Sequence, residues 1–322
     1  MKALTFERFG EPDVLEFREL PDPVPAAGSV VVRMRAIGLN FADIYRRRGN
    51  YHLAGTPPYI LGYEGAGIVE QVGEGVKHVA VGDRVGFADV ARANAERVLA
   101  PADRLIPLPE GISFEQAAAV LLQGLTAHYL ANDSFAVKRS HEVLVHAAAG
   151  GVGQLLVQLC KAKGARVLGL TSSPEKREFA LRAGADQALL YGSDWASEVQ
   201  AWSTGGAGVD VAYDSVGTTL MDSFAATRTK GAVVFYGMAG GDPPSIDPRM
   251  LMDTSKTLTG GDLWNHVASR QDRVKRAGSL FADLLAGRLR VDPPKLFALS
   301  DGAQAHRYME SRRSTGKILL IP

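Results

Sequence analysis

The stretch His146-Ala147-Ala148-Ala149-Gly150-Gly151-Val152-Gly153 decides the fold of this chain. An apolar run, Val143–Val145, precedes it, and apolar residues at helical spacing follow it, among them Leu155 and Leu159. This order predicts a buried strand, a glycine turn and the first turn of a helix. A helix N-terminus presents N–H groups without intrahelical partners and the positive end of the helix dipole, so it attracts phosphate. The stretch therefore predicts a phosphate-binding turn.

Each of the three glycines has its own predicted role in that turn. Gly150 lets the chain turn tightly, and Gly151 removes the side chain where a pyrophosphate would approach. Gly153 lets the helix pack closely against the strand. The pattern A-x-G-x-x-G also occurs in ordinary turns, but the strand before it and the helix after it favour a dinucleotide-binding site.

The rest of the chain indicates two domains. Apolar strands alternate with helices over residues 119–261, which predicts a parallel sheet covered by helices on both faces. The first third instead has short runs separated by Gly and Pro clusters, which indicates a β-rich domain. Ser113 and Gln116 have the spacing of a capping box and mark a helix start near the border.

We therefore predict an α/β protein with a doubly wound parallel sheet. Residues 119–261 form the nucleotide-binding domain, and residues 1–118, completed by 262–322, form the other domain. A ligand is expected in the cleft between them, at the carboxyl ends of the strands.

Composition excludes several function classes. The net charge of +1 gives no reason to expect nucleic acid or an anionic membrane as a partner. No apolar run approaches the roughly 18 residues of a membrane span, and the N-terminus shows no signal-peptide pattern. The one cysteine, Cys160, excludes an intrachain disulfide and a cysteine-rich zinc lobe, and we expect it to be a small buried residue. We expect a cytoplasmic protein.

The end of the second strand indicates which nucleotide binds. Sites that prefer NAD carry Asp or Glu there, about 20 residues past the glycines, to bond the ribose 2′-OH. This strand ends Leu168-Gly169-Leu170-Thr171-Ser172-Ser173, without a carboxylate, and Lys176 and Arg177 follow. Ser172, Ser173 and Lys176 suit the 2′-phosphate of NADPH, through hydroxyl hydrogen bonds and cationic pairing. The alternative is that Ser173 only caps the next helix and that Lys176 is only solvated.

Further motifs resemble a known family. Gly62-Tyr63-Glu64-Gly65-Ala66-Gly67-Ile68-Val69 and Gly82-Asp83-Arg84-Val85 are similar to the signature of the medium-chain dehydrogenases/reductases. The segment Ala148–Gln154, with Gln158 and Lys161 at fixed spacing, resembles the quinone oxidoreductase (zeta-crystallin-like) branch. The resemblance extends over essentially the whole chain. It implies a GroES-like catalytic domain, a Rossmann domain that binds NADPH, and a homodimer.

The resemblance also implies a site without metal. Zinc-dependent relatives place Cys near Asn40, His near Tyr63 and Cys near Gln123, and none of these ligand types stands there. No two of the seven histidines are three or four residues apart, the spacing of paired ligands on a helix. We therefore expect no metal, and we expect hydrogen bonds to stabilise the charge that develops on the substrate.

Candidate site residues follow from the same resemblance. Those implied to be catalytic are Asn40, Asp43, Tyr51 and Gln123. Those implied to contact the cofactor are Phe41, Tyr45, Thr126 and Tyr129 near the nicotinamide, Gly150, Gly151, Val152 and Gly153 at the pyrophosphate, Ser172, Ser173, Lys176, Tyr191 and Arg312 at the 2′-phosphate end, and Ser215, Gly237 and Met238 along the remaining path.

Several of these residues have an alternative role. We expect Tyr51 and Asn40 to be the principal donors to the substrate oxygen. Alternatively, Asn40 and Asp43 only bond the backbone of a turn, and Tyr51 is a packed surface aromatic. The three arginines Arg46 to Arg48 are expected to form a solvated face.

The sequence thus predicts an NADPH-dependent quinone reductase that passes a hydride from nicotinamide C4 to a quinone. One alternative is a reductase of activated C=C bonds in 2-enals, enones or enoyl thioesters. Another is a nucleotide-binding protein without turnover, such as a scaffold or an RNA-binding protein. Segment 87–96 borders the substrate cleft in relatives, but here it is shorter and lacks their Gly-Ala-aromatic element, so the resemblance does not fix the substrate.

Overall fold

The computed structural model describes residues 1–53, 55–192 and 194–322. The chain divides into two units, Met1–Leu125 with Val267–Pro322, and Thr126–His266. The predicted boundaries after residues 118 and 261 lie a few residues earlier, and one continuous helix, Phe114–Tyr129, runs across the first of them. Its start is capped as predicted, since Gln116 N–H donates to Ser113 Oγ (3.1 Å) and Ser113 N–H donates to Gln116 Oε1 (2.9 Å).

The N-terminal part of the first unit consists mainly of strands. Its elements are β1 Lys2–Phe6, β2 Glu16–Glu19, β3 Ser29–Leu39, α1 Phe41–Arg48, β4 Tyr59–Ile60, β5 Gly65–Val72, β6 Arg84–Phe87, β7 Arg97–Pro101, β8 Ile106–Pro107 and α2 Phe114–Tyr129. Along β3 the side chains of Arg33 and Arg35 are exposed while the rest of the strand is buried, so this strand forms the centre of the unit's core.

The second unit alternates strands and helices as the sequence predicts. Its elements after α2 are β9 Glu142–Val145, α3 Gly151–Ala162, β10 Arg166–Thr171, α4 Pro174–Arg182, β11 Gln187–Leu190, α5 Trp195–Trp202, β12 Val209–Asp214, α6 Leu220–Ala226, β13 Thr227–Phe235, α7 Pro248–Thr254, β14 Thr257–Gly260 and α8 Leu263–His266. The strands form one parallel sheet in the order β11-β10-β9-β12-β13-β14. This is a doubly wound Rossmann-like sheet, as predicted.

The C-terminal segment returns to the first unit. It contains α9 Arg270–Leu285, β15 Lys295–Ala298, α10 Gly302–Glu310 and β16 Ile318–Ile321. Strand β16 pairs antiparallel with β3, with Ile318 opposite Leu39. The larger sheet of this unit has the order β15-β16-β3-β5-β6-β8, with β7 also on β3, and a smaller sheet has the order β2-β1-β4.

Burial explains why these elements form. All four residues of β9 are buried, as in a strand covered on both faces. Helix α3 buries an apolar stripe that includes Leu155 and Leu156. Cys160 lies on the same face and is fully buried, which confirms the role predicted for it. Burial raises the pKa of this thiol to about 12, so Cys160 is a packing residue without thiolate reactivity.

Several elements differ from the sequence prediction. The sequence predicts a strand over Ala232–Tyr236, but β13 begins at Thr227, and its first residues are polar. The sixth strand of the parallel sheet, β14, and the helix α10 were not predicted. Strand β14 has only four residues, none of them buried, so it gives almost no periodic signal.

Candidate functional site

The glycine turn joins β9 to α3 in the second unit. Gly150 precedes the helix with φ −77° and ψ 168°, an extended conformation open to any residue. The left-handed residue of the turn is instead Ala147, with φ +47°. The tight turn predicted at Gly150 therefore does not depend on a special backbone conformation of that residue. Its N–H donates to Ala147 O (2.8 Å), and a Cβ on Gly150 would lie 3.1 Å from that oxygen, so the glycine provides space.

Gly153 allows α3 to approach the end of β9, as predicted. A Cβ there would lie 2.3 Å from Ala147 O and 2.8 Å from Ala148 Cα. Both contacts are with backbone, so any side chain would displace the first turn of the helix. The N–H groups of Gly151, Val152 and Gly153 have no carbonyl partner within an α-helix, and the first turn of α3 carries no acidic residue. The turn thus has the backbone and charge pattern of an anion-binding site.

The second strand ends at the position predicted for the 2′-phosphate. Strand β10 ends at Thr171, and Ser172 beyond it is exposed. Ser173 caps α4, because Lys176 N–H donates to its Oγ (3.3 Å), so the capping role considered as an alternative is present. Lys176 lies in the first turn of α4, where the helix dipole disfavours a cation. The helix dipole therefore does not favour a lysine here.

Tyr191 follows β11, and its hydroxyl points into the unit. Ala147 N–H donates to Tyr191 Oη (3.1 Å), which lies 3.2 Å from His146 Nδ1. Burial raises the pKa of this phenol well above its ordinary value. The hydroxyl is held by the glycine turn, so any role of Tyr191 at the 2′-phosphate end would have to come from its ring.

Ser215, Gly237 and Met238 lie in two loops that pack against each other at the ends of β12 and β13. Ala239 N–H donates to Ser215 O (3.0 Å). A Cβ at Gly237 would lie 3.2 Å from the same oxygen. Since all strands of this sheet are parallel, these loops lie at the same edge as the glycine turn.

In the first unit, Asn40 belongs to a buried polar cluster with Glu64 and Lys317. Asn40 Nδ2 donates to Glu64 Oε2 (2.9 Å) and Gly38 O (3.4 Å), and Asn40 Oδ1 accepts from Lys317 Nζ (2.8 Å). Lys317 Nζ also lies 2.5 Å from Glu64 Oε2. These bonds engage both ends of the Asn40 amide. The expected role of Asn40 as a principal donor to substrate therefore disagrees with the structure.

Asp43 has the backbone role that was its alternative. Its Oδ2 accepts from Asn40 N–H (3.0 Å), which caps the first turn of α1, and its Oδ1 lies 3.7 Å from Arg46 Nη1. Burial raises the pKa of Asp43, against the attraction of the Arg46 guanidinium. Asp43 thus holds the start of α1 rather than facing a substrate.

Sequence reasoning missed Glu64 and Lys317. Besides its contacts with Asn40 and Lys317, Glu64 accepts Leu122 N–H through Oε1 (2.6 Å), and a Cβ at Gly38 would lie 2.2 Å from its other oxygen. The two residues are 253 positions apart. Two features of the sequence could have indicated them. Glu64 is a carboxylate in the glycine-rich segment directly before β5, and Lys317 lies directly before the apolar final strand.

The arginines of α1 are not a solvated face. Arg46 is 2% exposed and Arg47 0%, so the expectation is wrong for both, while Arg48 is exposed. Arg46 Cζ lies 3.9 Å from the centre of the Tyr63 ring and 4.9 Å from the centre of the Tyr51 ring. The guanidinium therefore packs against both rings as a cation–π partner.

The other predicted residues of the first unit lie on α1, on α2 and in the tail. The Phe41 and Tyr45 rings are 6.4 Å apart, and Tyr45 lies 6.4 Å from the Tyr51 ring. Gln123 is half-buried on α2. Arg312 follows α10 with φ +59°.

Thr126 and Tyr129 begin the second unit, and both are buried. The Tyr129 ring stacks on His266, with centroids 4.3 Å apart and an interplanar angle of 7°. A Cβ at Gly261 would lie 2.7 Å from this ring. Tyr129 thus packs within its own unit, with its ring face against a histidine.

The described residues contain neither a metal cluster nor a helix suited to cross a membrane. Over residues 1–53, 55–192 and 194–322, no group of three or more His, Cys, Asp or Glu side chains is arranged to hold a metal ion. Among the helices in these ranges, none combines the length and apolar character that crossing a membrane requires.

Comparison with known proteins gives full-length matches. The family model of the alcohol dehydrogenase GroES-like domain matches residues 26–130, and that of the zinc-binding dehydrogenases matches residues 151–281. The quinone oxidoreductase of Pseudomonas aeruginosa is 38% identical over 100% of this chain and 99% of its own. The 2-haloacrylate reductase of a Burkholderia species is 36% identical over 99% and 98%. The structure of Escherichia coli quinone oxidoreductase complexed with NADPH matches with a TM-score of 0.97 at 37% identity, covering 100% of both chains.

Proposed function

Because the chain belongs to the quinone oxidoreductase branch of the medium-chain dehydrogenase/reductase superfamily, we propose that it is an NADPH-dependent quinone reductase. The glycine turn carries this proposal, since its backbone N–H groups and the closely packed Gly153 suit a pyrophosphate. The similarity to a relative whose structure contains NADPH supports the choice of coenzyme. Membership of this family favours an oxidoreductase over a nucleotide-binding protein without turnover.

The residues of the second unit suit NADPH. Gly151 and Val152 N–H groups would bind the pyrophosphate, and Ser172 with Lys176 would bind the 2′-phosphate. The argument for Lys176 is electrostatic: a cation in the first turn of α4 opposes the helix dipole, whereas a bound phosphate would compensate it. When bound, NADPH supplies a hydride from C4 of its nicotinamide ring, and the protein supplies position and hydrogen bonds.

At the substrate end, we assign the principal donor role to Tyr51 alone. Its ring packs against the Arg46 guanidinium, whose Cζ is 4.9 Å from the ring centre. This cation–π contact holds the Tyr51 ring in place. The Tyr51 O–H would then stabilise the negative charge that develops on the quinone oxygen. Asn40 and Asp43 become positioning residues, and Gln123 stays a candidate substrate contact.

We also propose that turnover does not need zinc. The positions at which zinc-dependent relatives carry their ligands hold Asn40, Tyr63 and Gln123, two amides and a phenol, which are poor ligands for this ion. Dialysis against a strong chelator is expected to leave activity unchanged. Loss of activity together with released zinc, and its return on adding zinc, would contradict this part of the proposal.

The second candidate function is reduction of an activated C=C bond. It is favoured by the 2-haloacrylate reductase relative, which is nearly as similar to this chain as the quinone oxidoreductases are. The hydride would then go to the β carbon, and a tyrosine or water would protonate the α carbon. Both candidates use the same coenzyme site, so only the acceptor distinguishes them.

The experiment is NADPH oxidation by the purified chain with 1,4-benzoquinone, 2-chloroacrylate and a 2-enal in parallel. We expect kcat/KM to be highest for the quinone. Faster turnover of 2-chloroacrylate or the enal would establish the second candidate instead, and no turnover with any acceptor would contradict both.

Tyr51→Phe is expected to lower kcat/KM for the quinone by about tenfold or more. Tyr59→Phe is the matched control in the same unit, because the Tyr59 ring stacks on Phe9 outside the cluster around Asn40.

Assembly as a homodimer and location in the cytoplasm stay predictions. Sedimentation equilibrium of the purified chain tests the first, with twice the 34.4 kDa chain mass as the expected result.

A further inference from the structure

A chain of buried polar side chains crosses the carboxyl edge of the parallel sheet. It runs from Tyr191 after β11, through His146 after β9, to Ser223 on α6 and Asp214 at the end of β12. His146, Ser223 and Asp214 are each 0% exposed. Such a set of buried polar groups is unfavourable unless every member is paired, so its pairing can be worked out atom by atom.

The direction of each hydrogen bond is fixed from the Asp214 end. Ser223 Oγ lies 2.7 Å from Asp214 Oδ2 and 3.1 Å from Thr219 O, and both of these oxygens only accept, so the single Ser223 proton goes to one of them. His146 Nε2, 3.0 Å from Ser223 Oγ, must therefore carry a proton and donate it. In a neutral imidazole the other nitrogen then accepts, so Tyr191 O–H donates to His146 Nδ1 (3.2 Å).

The charge states agree with this direction. Burial lowers the pKa of His146, against the pull of the Asp214 carboxylate, so the imidazole is neutral. For Asp214, burial works to raise the pKa, but the hydrogen bonds from Ser223, Gly217 and Thr219 act against it, and the pKa stays below its ordinary value. Asp214 is thus the ionised end of the chain.

Both ends of this series of polar side chains, Tyr191 and Asp214, bind backbone N–H groups of the coenzyme site. At one end, Ala147 N–H donates to Tyr191 Oη (3.1 Å), and Ala147 is the residue of the glycine turn with φ +47°. An L-residue adopts that left-handed conformation only when its surroundings hold it. At the other end, Asp214 Oδ1 accepts the N–H groups of Val216 (2.8 Å) and Gly217 (3.1 Å), in the loop that begins with Ser215.

We propose that Tyr191, His146 and Ser223 are positioning residues that hold the glycine turn and the loop after β12 in one fixed geometry for the coenzyme. This inference rests on the proposed NADPH site. A turn held in its binding conformation before the ligand arrives avoids the cost of ordering it on binding. These side chains therefore contribute to NADPH affinity although their hydroxyls do not contact the coenzyme. Their contributions depend on one another.

The test is a double-mutant cycle on the dissociation constant of NADPH, measured by fluorescence titration at a temperature at which circular dichroism shows every variant folded. Tyr191→Phe and Ser223→Ala each remove one hydroxyl, on opposite sides of His146. Each single variant is expected to bind NADPH about tenfold more weakly, the effect of one lost hydrogen bond. The double variant is expected to be no weaker than the singles, because either change already breaks the chain.

Tyr213→Phe is the matched control. It removes another buried tyrosine hydroxyl of the same unit. This hydroxyl donates to Leu130 O (3.0 Å) and does not contact His146, Ser223 or Asp214 in the series of polar side chains. Its NADPH affinity is expected to equal that of the wild type, although its stability falls.

Single variants with unchanged affinity, effects that multiply in the double variant, or an equal loss in Tyr213→Phe would overturn the positioning role while leaving the proposed function intact. A wild-type chain that does not bind NADPH at all would overturn the proposed function and this inference with it.

Discussion

At the residue scale, Gly153 is the position where the coenzyme site depends most on a missing side chain. Gly153→Ala would place a Cβ 2.3 Å from Ala147 O, and the backbone it meets cannot rotate away. We expect the free energy of unfolding to fall by about 1–3 kcal/mol and NADPH binding to be lost. Urea denaturation and coenzyme titration measure the two effects.

Gly192→Ala is the control for that change. A Cβ at Gly192 meets nothing within 4 Å, so both quantities are expected to stay at wild-type values. If Gly153→Ala behaved like Gly192→Ala, close contact between α3 and the glycine turn would not be needed for the site.

His306 is expected to make the free energy of unfolding depend on pH. Burial, with the Arg47 guanidinium beside it, lowers its pKa to about 3 from 6.5. Between these values the unfolded chain binds a proton that the folded chain does not, so His306 makes stability fall as pH drops below about 6.5, by up to about 1.4 kcal/mol per pH unit. Above that window both states are neutral, and the contribution is constant.

His306→Asn isolates this contribution. Its amide oxygen can accept the Arg47 hydrogen bond that His306 Nδ1 (3.0 Å) now takes, but it does not titrate. Denaturation at a series of pH values from 7 to 4 is expected to give a shallower loss of stability for the variant. Parallel curves for variant and wild type would show that His306 is not buried as a neutral group.

Residue roles could be predicted where the cause is local. Gly153 was identified because the strand, the turn and the helix follow each other in sequence, and Ser173 was recognised as a possible cap for the same reason. The left-handed conformation of Ala147 was not predicted, and its N–H donates to the hydroxyl of Tyr191, a partner 44 residues away. The engagement of the Asn40 amide was missed in the same way, since its partners are Glu64 and Lys317.

At the element scale, the pairing of the final strand, β16, brings the buried Lys317 ammonium group to the Glu64 carboxylate. Pairing of β16 with β3 sets Ile318 opposite Leu39, and so places Lys317 beside Asn40. Lys317→Met would leave the Glu64 carboxylate buried without its cation. We expect the free energy of unfolding to fall by about 3–5 kcal/mol, measured by urea denaturation.

The double variant Glu64→Gln/Lys317→Met is the comparison for this single variant. It removes both charges and is expected to recover much of the lost stability, because no unpaired ion remains. A single Lys317→Met variant as stable as the wild type would contradict the assignment of a buried ion pair to this strand.

Elements with a strong periodic pattern could be predicted, and those without one could not. The sequence predicts a strand over Gln187–Leu190 and a helix over Trp195–Trp202, and β11 and α5 have these bounds because apolar residues mark them clearly. Strand β14 has no buried residue, and its position depends on hydrogen bonds to β13 rather than on its own pattern. Of the polar start of β13, only Thr227 pairs with β12, opposite Val209, and the register shifts before Ala232.

At the scale of the whole molecule, the order of elements gave the fold class. Alternation of strands and helices leads to a parallel sheet because the connection between parallel strands must cross over one face. The C-terminal segment is the exception, since β16 joins the sheet of β3 rather than extending the parallel sheet. The limits of the two units are less visible in the sequence, because α2 passes through one of them without a break.

We propose that this chain binds its coenzyme through the phosphates, with the 2′-phosphate at Lys176. The most direct measurement is the dissociation constants of NADPH and NADH, for the wild type, for Lys176→Ala and for Arg182→Ala, an exposed cation at the other end of α4. The wild type and Arg182→Ala are expected to bind NADPH at least about tenfold more tightly than NADH, and Lys176→Ala is expected to lose that preference. Equal affinity of the wild type for both coenzymes, or an equal loss for both in Lys176→Ala, would contradict the claim.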